Sequence, residues 1–206
     1  MIKRDYYLNK IISKQNNGMV KIITGIRRCG KSYLLFTLYR DYLLDSGVKP
    51  NHITALALDE ISNQRYRNPN ELDKYIKDCI INDGKTNYVF IDEIQFVKEV
   101  DNPYLEGTKV GFIDVLLGLM KLPNVDVYVT GSNSKMLSSD IVTEFRGRGD
   151  EIRIHPLSFK EFYDSYNGDK TKAWDEYSLY GGMPFLATID KDEEKMNYLK
   201  IKTLLM

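Results

Sequence analysis

The chain has 206 residues, 29 basic and 29 acidic side chains, 43% hydrophobic residues and two cysteines. That length suits one sizeable α/β core with a small appended subdomain, and the balanced charge excludes a global basic field of the kind that argues for nucleic acid. Cys29 and Cys79 have neither metal-ligand spacing nor a disulfide framework, and no apolar run reaches signal-peptide or membrane-span length, so a cytoplasmic protein with no membrane partner is expected. Asp5 to Lys14 has the pattern of a short amphipathic helix, and Gln15-Asn16-Asn17-Gly18 that of a polar turn. Met19 to Thr24 is a short apolar run rich in β-branched residues, which reads as a strand buried on both faces.

Gly25-Ile26-Arg27-Arg28-Cys29-Gly30-Lys31-Ser32 follows directly and fits the phosphate-loop pattern G-x-x-x-x-G-K-[ST] at every fixed position. Its glycines let backbone N–H groups wrap a phosphate, and the start of the next helix adds partial positive charge. Lys31 is expected to reach the β- and γ-phosphates, and Ser32 to place its hydroxyl on Mg²⁺. The nucleotide-binding stretch runs on to Tyr33. Arg27 and Arg28 occupy equivalent variable positions of the loop. Cys29, beside Lys31 and two arginines, has two readings: an inert small filler, which is favoured, or a thiol of lowered pKa that alkylates readily and is protected by nucleotide.

Ser32 to Leu44 reads as a helix, with Leu34, Leu35, Leu38 and Tyr42 at helical spacing. Ile53 to Asp59 is a second strand, Asn70 to Asn82 a helix, and Tyr88-Val89-Phe90-Ile91 a third strand ending in Asp92 and Glu93. An acid at that strand end holds Mg²⁺ in phosphate-loop enzymes, and a following glutamate polarises the attacking water. Asp92 is therefore the expected metal ligand and Glu93 the expected base. Asp101 to Gly107 reads as a loop, Phe112 to Leu122 as a helix, and Val125 to Thr130 as a fourth strand. Ser132 and Asn133, just beyond it, are candidates to contact the γ-phosphate or the water.

A short helical stretch near Ser139 to Phe145 leads to a fifth strand, Glu151 to Ile154. Alternating strands and helices argue for right-handed crossovers and a parallel sheet covered on both faces. Beyond His155-Pro156 the pattern is helical, over Ser158 to Tyr166, Thr171 to Tyr180 and Asp192 to Leu205. Ser158-Phe159-Lys160-Glu161 forms a capping box. The last helix meets the terminus without a C-cap signal, which reads as a chain cut from a longer protein. The fifteen tyrosines scatter instead of forming an aromatic-basic platform.

Taken with Phe90-Ile91-Asp92-Glu93-Ile94-Gln95 and Thr130-Gly131-Ser132-Asn133-Ser134, the phosphate loop resembles the AAA+ superfamily. Phe145-Arg146-Gly147-Arg148, Ile154 to Phe162 and Tyr180-Gly181-Gly182-Met183-Pro184 are similar to stretches of its bacterial and archaeal ATPases that carry a C-terminal DUF4143-type domain. The resemblance implies an α/β phosphate-loop NTPase fold of three layers. Its five-stranded parallel sheet has the order 5-1-4-3-2, in a core spanning 1–155, with a helical lid over 156–206. It implies ATP as the nucleotide, Ser132 or Asn133 as sensor, and Arg146 or Arg148 as a charge-stabilising arginine acting in cis or from a neighbouring subunit. No arginine follows Arg153, so the usual lid arginine is absent from this sequence.

The function this implies is Mg²⁺-dependent ATP hydrolysis coupled to conformational change, in a homo-oligomer acting on an unidentified protein or nucleic-acid client. A nucleotide-responsive regulatory module with slow hydrolysis, of toxin-antitoxin or defence type, is the alternative. A small phosphate-loop kinase comes next, and a GTPase is disfavoured because no N-K-x-D stretch is present.

Overall fold

The computed structural model describes residues 2–131, 145 and 147–203, with side chains up to 200. Helix α1 (Asp5–Ile12) precedes strand β1 (Val20–Gly25). The helix after the phosphate loop, α2 (31–45), is continuous but not uniform: Leu34–Tyr39 winds as π-helix between two α-helical ends. There follow β2 (Ile53–Ala57), α3 (Pro69–Cys79), β3 (Asn87–Asp92), a hairpin of β4 (Val100–Asp101) and β5 (Lys109–Val110), α4 (Phe112–Leu119), β6 (Val125–Thr130) and β7 (Gly149–Ile154). Three helices complete the described chain: α5 (Phe159–Asp164), α6 (Lys170–Tyr180) and α7 (Asp192–Thr203). The expected helix near Ser139 to Phe145 falls mainly outside the described residues.

The large sheet has five parallel strands in the order β2-β3-β6-β1-β7. Numbered among themselves, these strands run 5-1-4-3-2 across the sheet; the chain numbering differs because the β4-β5 hairpin intervenes. Sequence patterning reads that stretch as a loop, since strands of two residues carry no periodicity. Burial on both faces explains the apolar runs of the central strands β1, β3 and β6. On one face Val89 and Ile91 of β3 pack with Leu72, Ile76, Leu116 and Leu119 from α3 and α4. On the other, Tyr88 and Phe90 pack with Leu34, Leu35, Tyr39 and Leu43 from α2 and with Tyr7 and Ile11 from α1. Period-2 alternation thus sends β3 to both layers.

Helices α5 and α6 enclose a smaller core of Leu157, Phe162 and Ala173, against which Ile2 of the N-terminal segment packs. The Ser158-Glu161 capping box forms as read from the sequence: Ser158 N–H donates to Glu161 Oε2 at 2.8 Å, and Glu161 N–H to Ser158 Oγ at 3.3 Å. Gly182 closes the turn after α6 by direct contact, Leu157 N–H donating to its carbonyl at 2.6 Å. A Cβ there would lie 2.1 Å from the Leu157 carbonyl oxygen, so only glycine allows the approach. That turn sets Pro184 against the phosphate loop, 3.7 Å from where a Cβ on Gly30 would stand.

Candidate functional site

The phosphate loop leaves β1 at the C-terminal edge of the sheet and is pinned by close packing. A Cβ on Gly25 would come within 2.4 Å of the Ile154 carbonyl oxygen and 2.9 Å of Cys29 Sγ, so the first glycine of the pattern is a requirement of β1-β7 packing. Gly30 adopts φ 95° and Arg28 φ 67°, both left-handed. For arginine that conformation costs on the order of 1 kcal/mol or more. Lys31 is buried and folds back, its Nζ donating to the carbonyls of Gly25 at 3.1 Å and Ile26 at 3.2 Å.

Strand β3 delivers the acids to the same edge. Asp92 is buried, accepts from Thr130 Oγ1, and is also hydrogen-bonded by Ser32. Burial pushes its carboxyl above the usual range, opposed by those two hydroxyls and reinforced by the nearby charges of Glu93 and Asp59. Glu93 also stands in the left-handed region, at φ 53° and ψ 52°. Its N–H donates to Thr130 Oγ1 at 3.1 Å, and its carboxylate accepts from Gln95 Nε2. The described non-glycine residues with positive φ are Asn16, Arg28 and Glu93. Two of these three lie at the candidate site, where strain is held by surrounding structure.

These groups face one another across a cleft of about 580 Å³ lined by Arg27, Arg28, Lys31, Ser32, Asp59, Glu93 and others. A second, mainly apolar cleft of about 650 Å³ shares Arg28, Gly30 and Tyr33 with it and is closed by Ile2, Leu157, Pro184 and Phe185. Arg27 lines only the first, whereas Arg28 lines both and sets its guanidinium 5.4 Å from the ring centroid of Tyr198 in α7. The structure therefore separates two arginines that the sequence leaves equivalent.

The chain matches the model of the AAA domain family (AAA_14) over residues 17–163. It belongs to that family. Its nucleotide cleft is that of an AAA-type ATP-binding domain with a phosphate loop. Among curated relatives, an uncharacterised protein of Haemophilus influenzae is 34% identical over 196 residues, covering 93% of this chain and 46% of the relative. One of Methanocaldococcus jannaschii is 31% identical over 216 residues, covering 97% and 42%. The chain thus spans somewhat under half the length of these relatives. Its fold is similar to that of a Walker-type ATPase of Pyrococcus abyssi, at TM-score 0.60 and 17% identity, covering 91% of this chain and 65% of that one. A DNA polymerase III gamma subunit-related protein of Thermotoga maritima gives TM-score 0.53 and 15% identity, covering 89% and 55%.

Lys31, Ser32, Asp92 and Glu93 of the AAA domain come together as their motifs imply. Ser132, Asn133 and Arg146 lie outside the described residues. Arg148 is remote from the cleft. It precedes β7, its carbonyl accepts from Val20 N–H at 3.2 Å, and β1 and β7 run parallel with Val20 beside Gly149 and Gly25 beside Ile154. A strand rise of about 3.3 Å per residue sets Arg148 roughly 20 Å from the phosphate loop, at the opposite edge of the sheet. Sequence reasoning passed over Asp59, Gln95 and Lys98, which line the cleft of this domain, and the buried Thr130, which bonds Asp92 and Glu93. The register of β6 on β3, with Val129 beside Ile91, is the signal that sets Thr130 next to Asp92, and it needs the strand order first.

Cys29 is the inert filler of its two sequence readings, not the reactive thiol. Its side chain is fully buried, Sγ lies 3.7 Å from the Ile154 carbonyl oxygen, and burial raises the thiol's pKa more than Lys31 and Arg4 lower it. The thiolate is disfavoured. In the native protein iodoacetamide is expected to modify Cys79, which is partly exposed, before Cys29. Mass spectrometry of the labelled peptides checks this, and Cys29 reacting at the rate of a free thiol would contradict its burial.

The raised pKa of Asp92 has a consequence for stability. The folded chain holds this proton more tightly than the unfolded chain does. The carboxyl therefore favours the fold in acid and opposes it increasingly as pH rises through the folded pKa. Asp92→Asn is expected to raise the urea midpoint of the nucleotide-free protein at neutral pH, with a gain that shrinks in acid. An unchanged or lower midpoint at pH 7 would show that the charge is compensated.

Proposed function

We propose that this domain hydrolyses ATP with Mg²⁺ and couples the nucleotide state to movement of its helical lid, 156–206. The observation that carries the reading is the convergence of Lys31, Ser32 and Glu93 on one cleft, with Asp92, at the end of β3, hydrogen-bonded to Ser32. Ser32 and Asp92, already hydrogen-bonded, are the residues that would hold Mg²⁺. A hydroxyl and one carboxylate suit a small hard cation that completes its shell with phosphate oxygens and water. Bound there, the ion would neutralise charge on the phosphates. Lys31 would leave the Gly25 and Ile26 carbonyls for phosphate oxygens, and loop N–H groups would supply further donors. Glu93 would orient and deprotonate the attacking water while Thr130 holds both acids in register. The base would occupy the apolar cleft of Ile2, Leu157, Pro184 and Phe185.

Ser132 or Asn133 would approach the γ-phosphate from β6. The distance of Arg148 from the cleft favours its acting from a neighbouring copy in a homo-oligomer with a protein or nucleic-acid client, and Arg146 is the other candidate for this charge-stabilising role. A regulatory module with slow hydrolysis is the second reading, favoured by the hydrogen bond that Gln95 makes to Glu93. Phosphate release from Mg·ATP by the full-length protein tests the proposal. Release above that of Lys31→Ala supports hydrolysis, release at that background leaves the regulatory reading, and transfer to an acceptor would mark a kinase. Among the described residues no helix is long and apolar enough to cross a membrane.

A further inference from the structure

The phosphate loop is held from behind by a residue far from every motif. Arg4 precedes α1 and is 3% exposed. Its NH1 donates to the Cys29 carbonyl at 3.1 Å, its NH2 donates to the His155 carbonyl at 2.7 Å, and its Nε pairs with Glu161 Oε1 at 2.9 Å. The guanidinium also lies 4.7 Å from the ring centroid of Tyr7, whose hydroxyl accepts from His155 N–H at 3.2 Å. One buried cation therefore joins the phosphate loop, the end of β7 and the first turn of α5.

We infer that Arg4 is a positioning residue for nucleotide binding: it fixes the Cys29-Gly30 peptide in the orientation that offers Gly30 N–H to phosphate, and links that orientation to the helical lid. In a trans peptide the Cys29 carbonyl and the Gly30 N–H point in opposite directions, so anchoring the carbonyl aims the N–H away from Arg4. This peptide is otherwise easily turned, because glycine accepts either sign of φ. A charge-assisted bond at the carbonyl also polarises the N–H at the other end of the peptide. Glu161 adds the link to the lid, since the carboxylate that pairs with Arg4 also caps α5 through Ser158. Lysine cannot replace this fork, having one point of charge where arginine donates to two carbonyls and pairs with a carboxylate.

The inference rests on the nucleotide reading above, and the test separates the two. Calorimetry with Mg²⁺ and a non-hydrolysable ATP analogue is run on full-length wild type, Arg4→Met and Arg4→Lys, alongside hydrogen exchange in the nucleotide-free state. For Arg4→Met affinity is expected to fall about ten- to a hundredfold. Exchange should rise in peptides covering the loop while β3 and β6 keep their protection. Arg4→Lys, which keeps a cation in the site, should fold and still lose affinity severalfold; it carries the test if Arg4→Met does not fold. Affinity within about twofold of wild type in a folded variant overturns the inference, as does exchange that rises throughout the core, which would mark a merely structural role. No binding by wild type overturns the nucleotide reading itself, and with it the role given to Arg4.

Discussion

Replacing Glu93 by Gln is expected to slow ATP turnover by about 10²- to 10⁴-fold while leaving affinity for Mg·ATP within about twofold. The amide keeps the shape of the carboxylate and a place for the hydrogen bond from Gln95, but cannot take a proton from water. The backbone of Glu93 is held at φ 53° and ψ 52° by its N–H bond to Thr130, so the substitution has little freedom to rearrange the strand end. Lys31→Ala should behave oppositely, losing binding first, because it removes the cation that would meet the phosphates. Truncating one partner of a buried charged pair costs about 2–5 kcal/mol, or roughly 30- to several thousandfold in Kd. Calorimetry and single-turnover phosphate release measured on both variants separate the two roles. Glu93→Gln protein that still turns over at the wild-type rate would remove Glu93 as the base.

Substituting either partner of the Lys21–Asp126 pair is expected to cost about 3–5 kcal/mol of folding stability. Lys21 is fully buried within β1 and pairs with Asp126 of β6. Asp126 also accepts from Tyr128 Oη at 2.7 Å and from Asn16 N–H at 3.0 Å. The chain of bonds continues from Tyr128 to Tyr39 at 2.6 Å and on to Gln15 at 2.8 Å. Lys21→Met leaves a buried carboxylate without its cation, and Asp126→Leu leaves a buried ammonium. Against a total stability of about 5–15 kcal/mol, either loss is severe. The double variant should recover most of it, since removing both charges also removes the desolvation penalty. Urea denaturation of the three variants checks this, and single variants within about 1 kcal/mol of wild type would show that the pair is stabilised some other way.

The pair lies at the N-terminal edge of the sheet and the nucleotide cleft at the C-terminal edge. Stability and chemistry can therefore be probed separately. Variants at Lys21 should shift the denaturation midpoint and leave nucleotide affinity in the folded fraction unchanged, whereas Glu93→Gln should slow turnover and leave the midpoint unchanged.

Local chemistry made much of this molecule readable from its sequence. Gly25, Gly30, Lys31 and Ser32 form a phosphate loop because a single turn between a strand and a helix needs those residue types in that order. Asp92 and Glu93 were legible because an apolar strand ended abruptly in acids, and the layered fold because strands alternated with amphipathic helices. Tertiary structure decided what depends on residues far apart in the chain. Cys29 had an inert and a reactive reading beside its cationic neighbours, and packing under Ile154 of β7 decides for the inert one by burying it and raising its pKa. Family position left open whether Arg148 acts in cis or from a neighbouring subunit, and only the parallel pairing of β1 with β7 sets it at the edge of the sheet far from the loop. Thr130, Arg4 and the Lys21–Asp126 pair act across strands or between segments more than a hundred residues apart, as in the Arg4 bond to His155. Periodicity and motif spacing report only on neighbours along the chain. Burial, register and the meeting of distant charges follow from how the layers close, and they determine which polar groups share one cleft.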